Sequence, residues 1–184
     1  MRNAMRKKIF ILLIGLLPML SIATNASAMS AHANSFPQQL TEIKQPLILV
    51  GKAKFSVLFW DIYDSALFTY DGKYQADAAF LFEINYLRDI SRDDLIERTV
   101  EQWQHLGVDS IKYQPFLADL ANIWPNITKG DQLAMWTDGQ STAFYFNQAF
   151  KGEIADPAFS QLFASIWLSP QTSQPKLRKK LLGN

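Results

Sequence analysis

The chain has 184 residues, enough for one domain with a sizeable core, and its 48% apolar and 13% aromatic content argues against disorder. Cysteine is absent, which removes disulfides, thiolate metal sites and a cysteine nucleophile together. His32 and His105 are the sole histidines, so neither a histidine metal cluster nor a Ser-His-Asp triad has material to form, and no metal or cofactor is expected.

Residues 1–28 read as a signal peptide. Arg2, Arg6, Lys7 and Lys8 form a positive n-region, Ile9 to Ile22 an apolar h-region, and Ala26-Ser27-Ala28 a cleavage site, with cleavage as late as Ala33 the alternative. The apolar run is shorter than the ~20 residues a membrane span needs, so no span is expected once the leader is removed. The remaining chain carries 14 basic and 17 acidic residues, a net charge of about −3, and offers no basic surface for nucleic acid.

Residues 29–45 are polar and read as a flexible lead-in to a single domain over 46–184. Leu47 to Tyr70 is the longest β-forming run outside the leader and is apolar on both faces. It reads as two strands with a bend or bulge at Asp64-Ser65. A strand apolar on both faces is buried on both sides or lines a pocket on one. Tyr70-Asp71-Gly72-Lys73 reads as a hairpin turn, followed by a strand over Ala78 to Leu87.

Ser91 and Asp94 form a capping-box pattern that opens a helix ending at Gly107. A second helix is predicted from Lys112 to Trp124, with Pro115 in its first turn and Pro125 as its stop. Strands are predicted over Asp131–Trp136, Ser141–Phe146 and Phe150–Ile154. Asp156 and Pro157 open a further helix, and a last one starts near Pro175. The order gives an α+β domain whose antiparallel sheet is covered on one face by helices.

The sequence resembles the chalcone isomerase-like superfamily, in its secreted bacterial branch. The likeness is carried by Gly51 with Phe59-Trp60-Asp61-Ile62-Tyr63-Asp64-Ser65-Ala66-Leu67-Phe68, by Tyr86-Leu87-Arg88-Asp89-Ile90-Ser91, by Lys129-Gly130-Asp131, by Gly152 and Ile154, by Phe159 and Ile166-Trp167-Leu168, and by Lys180-Leu181-Leu182-Gly183. It implies an open-faced β-sandwich whose large antiparallel sheet is layered by helices, with Leu47–Tyr70 as the central strand pair. It also implies a periplasmic location for the exported protein.

Plant enzymes of this superfamily close a flavanone ring with an arginine, a threonine, a tyrosine and an asparagine. Non-enzymatic members bind fatty acids, with an arginine holding the carboxylate. Carried over by position, the arginine falls on Phe55, the threonine on Tyr63, the tyrosine near Leu95 and the asparagine near Gln102. Phenylalanine cannot stabilise an anionic oxygen as a guanidinium does, so no catalytic residue carries over.

The expectation is a non-catalytic protein that binds a small apolar or fatty-acid-like ligand, with Phe55, Trp60, Tyr63, Arg88 and Gln102 as candidate binding residues. Arg88 can instead pair with Asp61, Asp64 or Asp89. Two alternatives stay open. One is an isomerase or lyase with Tyr63 and Arg88 as acid and anion partner. The other is an envelope interaction module whose interior is filled by side chains.

Overall fold

Six antiparallel strands form one meander in sequence order: β1 (Ile48–Val57), β2 (Trp60–Thr69), β3 (Phe80–Tyr86), β4 (Gln132–Thr137), β5 (Thr142–Phe146) and β6 (Ala149–Ile154). The structure is a computed structural model and describes residues 46–184. The predicted signal peptide and lead-in lie outside these residues. Between β3 and β4 run α1 (Arg92–His105), α2 (Ser110–Tyr113), a 3-10 turn (Gln114–Phe116) and α3 (Leu117–Ile123). After β6 come α4 (Pro157–Leu168) and α5 (Pro175–Leu181). Among the described residues no helix is long and apolar enough to cross a membrane.

Strand alternation sorts the sheet into two faces. Phe82 and Ile84 of β3, Leu133 and Met135 of β4 and Phe144 of β5 share one buried cluster with Trp103, Leu120, Phe159 and Phe163 from the helices. The opposite face holds a small cluster of Ala134, Ala143 and Tyr145, with Leu81 and Trp136 packed against it. This is the one-sided helical cover expected of the α+β, open-faced arrangement.

The first hairpin departs from expectation. Asp64 and Ser65 do not bend; they pair in register with Lys54 and Ala53 on one side and with Asn85 and Ile84 on the other. The chain turns at Leu58-Phe59, a two-residue loop between the paired Val57 and Trp60. Leu58 takes a φ of +54°, a left-handed conformation that tight hairpin loops require and that leucine rarely adopts. No glycine or asparagine announces this turn, so turn chemistry could not place it. A bulge sits three residues earlier, between Phe55 and Ser56, and leaves Ile62 without a partner on β1. The pair is not central either: β1 is the sheet edge. Its apolar residues are accounted for by the tip, the cavity described below and the cover that α5 supplies.

Two further boundaries moved. The Asp71-Gly72 turn forms, with Asp71 Oδ1 accepting the Lys73 N–H at 3.0 Å, but the chain continues to Phe80 before pairing resumes. The predicted helix over Lys112–Trp124 is broken into α2, the 3-10 turn and α3, because Pro115 has no N–H to give and crowds the preceding turn. The caps behave as read. Ser91 Oγ accepts the Asp94 N–H at 3.1 Å, and Asp156 Oδ1 accepts that of Ala158 at 2.8 Å.

Edge strand β1 is covered by α5, and the fit depends on a glycine. A Cβ on Gly51 would stand 2.1 Å from the Lys180 carbonyl oxygen and 2.7 Å from that of Leu181. Backbone atoms cannot yield as a side chain would. Gly51→Ala is therefore expected to destabilise the protein by about 2–3 kcal/mol, as overpacking does. A urea midpoint within error of the wild type would show that α5 does not dock on β1 this closely.

Candidate functional site

Between the helix-covered face of the sheet and α1 and α4 lies a cavity of about 200 Å³. Phe55 and Tyr63 reach it from cross-strand paired positions of β1 and β2, with ring centroids 5.1 Å apart. The bulge turns Ile62 inward beside Tyr63, although neighbours on a regular strand face opposite ways. Ile84 and Tyr86 of β3 and Leu133 and Met135 of β4 supply the floor. Phe163, Ile166 and Trp167 of α4 close the far side.

The polar groups are few. Arg98, Thr99 and Gln102 line the cavity from α1, and Ser173 and Gln174 from the segment before α5. Arg98 pairs with Glu101 at 2.6 Å, with both side chains well exposed. Ser173 Oγ donates to Gln102 Oε1 at 2.5 Å, tying the segment before α5 to α1. Thr99 spends its hydroxyl on the Leu95 carbonyl at 2.8 Å. These residues make a polar rim around an apolar interior.

Inside, the donors are neutral. Trp167 Nε1–H donates to Tyr63 Oη at 2.9 Å. Burial pushes the Tyr63 hydroxyl up to about 12, with the Trp167 bond acting against it. Burial raises Tyr86 as well, and Tyr63 adds to the effect. Both phenols therefore stay protonated at neutral pH and act as donors or acceptors rather than as general bases. Trp124 also lines the cavity, and its Nε1 is buried with no hydrogen-bond partner among the described residues. A buried donor left without a partner is costly.

The five candidate residues separate into two groups. Phe55, Tyr63 and Gln102 line the cavity. Trp60 and Arg88 do not; they meet outside it, where the Arg88 guanidinium carbon sits 4.3 Å from the Trp60 ring centroid. Trp60 is 59% exposed because it follows the hairpin loop instead of lying inside a long strand. Tyr63 and Arg88 are therefore not assembled as an acid and its anion partner. Arg88 also forms no ion pair with Asp61, Asp64 or Asp89. Lys54 takes the first two, at 2.8 and 3.9 Å, and Asp89 Oδ1 accepts the Lys129 N–H at 2.7 Å. The Lys54 and Ser56 hydrogen bonds hold the Asp61 carboxyl below its usual range.

Sequence reasoning passed over Arg98, Trp124, Ile62 and Ser173 as site residues. For Arg98 a signal existed: it precedes Gln102 by one helical turn and so shares its face. Trp124 read as part of a helix stripe. Ile62 depends on the bulge and Ser173 on the path of a loop, and neither leaves a periodic trace.

Known proteins resemble this chain as follows. A profile described as chalcone isomerase-like matches residues 28–183. An uncharacterized protein of Haemophilus influenzae is 23% identical over 135 residues, covering 73% of this chain and 67% of that protein. The crystal structure of a fatty-acid binding protein of Arabidopsis thaliana superposes with a TM-score of 0.59 at 12% identity, covering 75% of this chain and 87% of that one. That likeness is one of fold.

Proposed function

We infer that this chain, which belongs to the chalcone isomerase-like family, is a non-catalytic binding protein whose cavity takes the apolar part of a small lipid-like or aromatic molecule. The observation that carries this is the cavity itself: an interior of hydrocarbon and neutral donors with a polar rim at Arg98, Gln102, Ser173 and Gln174. Phe55 puts hydrocarbon where the family resemblance implies an arginine, so an anionic end of a ligand would have to compete with Glu101 for Arg98 at the rim. The Arabidopsis neighbour's printed description as a fatty-acid binding protein supports the same class of ligand.

Size narrows the class. The cavity, at about 200 Å³, is smaller than the ~300 Å³ at which drug-sized sites begin. It exceeds the ~150 Å³ of an apolar cavity known to take up benzene. It therefore suits one aromatic ring or a chain of roughly eight to ten carbons by the same comparison, with anything longer emerging at the rim.

Straight-chain fatty acids of increasing length, competed against a fluorescent apolar probe, test this. Affinity should rise about fourfold per methylene, the equivalent of ~0.8 kcal/mol, up to about ten carbons, and then level off. If neither the probe nor any acid binds, the interior serves packing only and the interaction-module reading takes its place. We further propose export to the periplasm by residues 1–28. Mass spectrometry of the protein from an envelope fraction should find an N-terminus after Ala28 or Ala33, and an intact Met1 would refute it.

A further inference from the structure

The tip of the first hairpin is the most exposed apolar feature among the described residues. Leu58 is 87% exposed, Phe59 97%, Trp60 59% and Val57 47%. A polar loop would be the ordinary solution for a two-residue turn. Here leucine takes the left-handed position instead, at φ +54°. Strain of that kind is enriched at functional sites.

We propose that the Val57–Trp60 tip is a membrane-docking element that inserts its apolar side chains into the interfacial region of a lipid bilayer. Three features favour a bilayer over a protein partner. The tip offers on the order of 500 Å² of apolar surface, against the ~800 Å² per partner that a stable protein interface buries. It is a narrow projection of two strands ~5 Å apart, a shape that enters a fluid interface more readily than it meets a complementary surface. The polar group stacked on it is a cation: the Arg88 guanidinium carbon lies 4.3 Å from the Trp60 ring centroid, a pair whose apolar faces and charged end suit the headgroup level. Behind the tip, Lys54 pairs with Asp61 at 2.8 Å and stands 3.9 Å from Asp64, so these two carboxylates are balanced against anionic headgroups by Lys54 and Arg88 together.

Docking there would set the cavity close to the bilayer. Ile62, in the cavity wall, is two residues from Trp60 along β2, and Phe55 is two from Val57 along β1, each about 7 Å at strand rise. The cavity wall and the tip are thus parts of one hairpin. The tip's role stands apart from the cavity's, and its test uses no cavity ligand.

The experiment is co-sedimentation with vesicles of phosphatidylethanolamine and phosphatidylglycerol. It uses the chain from Met29 onward, which contains all the described residues, 46–184. The wild type should partition to the vesicles, and Phe59→Ser should lower the partition coefficient by roughly thirtyfold, the loss of one buried aromatic. Phe59 is too exposed for its loss to unfold the protein, and an unchanged near-ultraviolet circular dichroism spectrum verifies this. Lipids brominated on their acyl chains should quench part of the tryptophan fluorescence, and Trp60→Phe should remove that part. The proposal is overturned if the wild type stays in the supernatant, or if Phe59→Ser sediments like it. It is equally overturned if the wild type forms a dimer that the substitution abolishes, which would make the tip a contact between copies of this chain.

Discussion

Ile84→Trp is expected to abolish uptake of an apolar probe, with affinity falling by about a hundredfold or more, the equivalent of ~3 kcal/mol of lost burial. Ile84 is 6% exposed, sits on the helix-covered face of β3 and contributes to the cavity floor. An indole there would project into the space a ligand needs. Because that space is empty of protein, the larger ring has somewhere to go, and stability should stay within about 1.5 kcal/mol of the wild type. The two readouts separate a blocked site from a broken fold. Binding unchanged in a folded Ile84→Trp protein would place the ligand elsewhere and remove the cavity from the functional reading.

Phe163→Ala should be the most damaging single truncation of the core. Its ring meets those of Trp103, Trp124, Phe144, Phe159 and Trp167, at centroid distances of 5.3 to 6.4 Å, and it is 4% exposed. The rings come from α1, α4, β5 and the end of α3, so they join the helical layer to the sheet. Truncating a phenylalanine so placed costs about 4 kcal/mol, a fall of roughly 12 °C in Tm for a chain of this size. A loss below about 1.5 kcal/mol in denaturant titration would mean that the neighbouring rings collapse into the space. Phe163 also lines the cavity, so the variant gains room as it loses stability. In the fatty-acid series, the length at which affinity levels off should move to longer chains.

How much of the site was legible can be told residue by residue. The pairing of Phe55 with Tyr63 follows from strand alternation once the two strands are recognised, and both side chains reach the cavity. Gln102 follows from the helical stripe of α1, read together with the cap at Ser91. Trp60 and Arg88 were misplaced for one reason. The hairpin loop carries none of the residues that normally mark one, so Leu58-Phe59 read as the interior of a strand, and Trp60 with them. Once the loop is located, Trp60 moves to an exposed tip and Arg88 moves with it. Pro115 is the milder case: a proline is tolerable in a helix's first turn, but here it divides the helix.

The α+β class, the strand and helix order and the caps were all determined within the chain, because periodicity, capping side chains and prolines act over a few residues and leave their trace there. The membership of the chalcone isomerase-like family was legible for a related reason, since short pieces in a fixed order suffice to mark it. Three things were decided by contacts between segments far apart in sequence. One is that β1 is an edge strand closed by α5, through a close backbone approach that needs glycine at Gly51 and Gly183. Another is that a bulge at Ile62 and the segment around Ser173 frame one cavity with α1. The last is that the apolar run at 57–60 faces solvent instead of a core. Local free energies select the elements; which faces meet, and what space or surface is left over, depends on the volumes of side chains that only folding brings together.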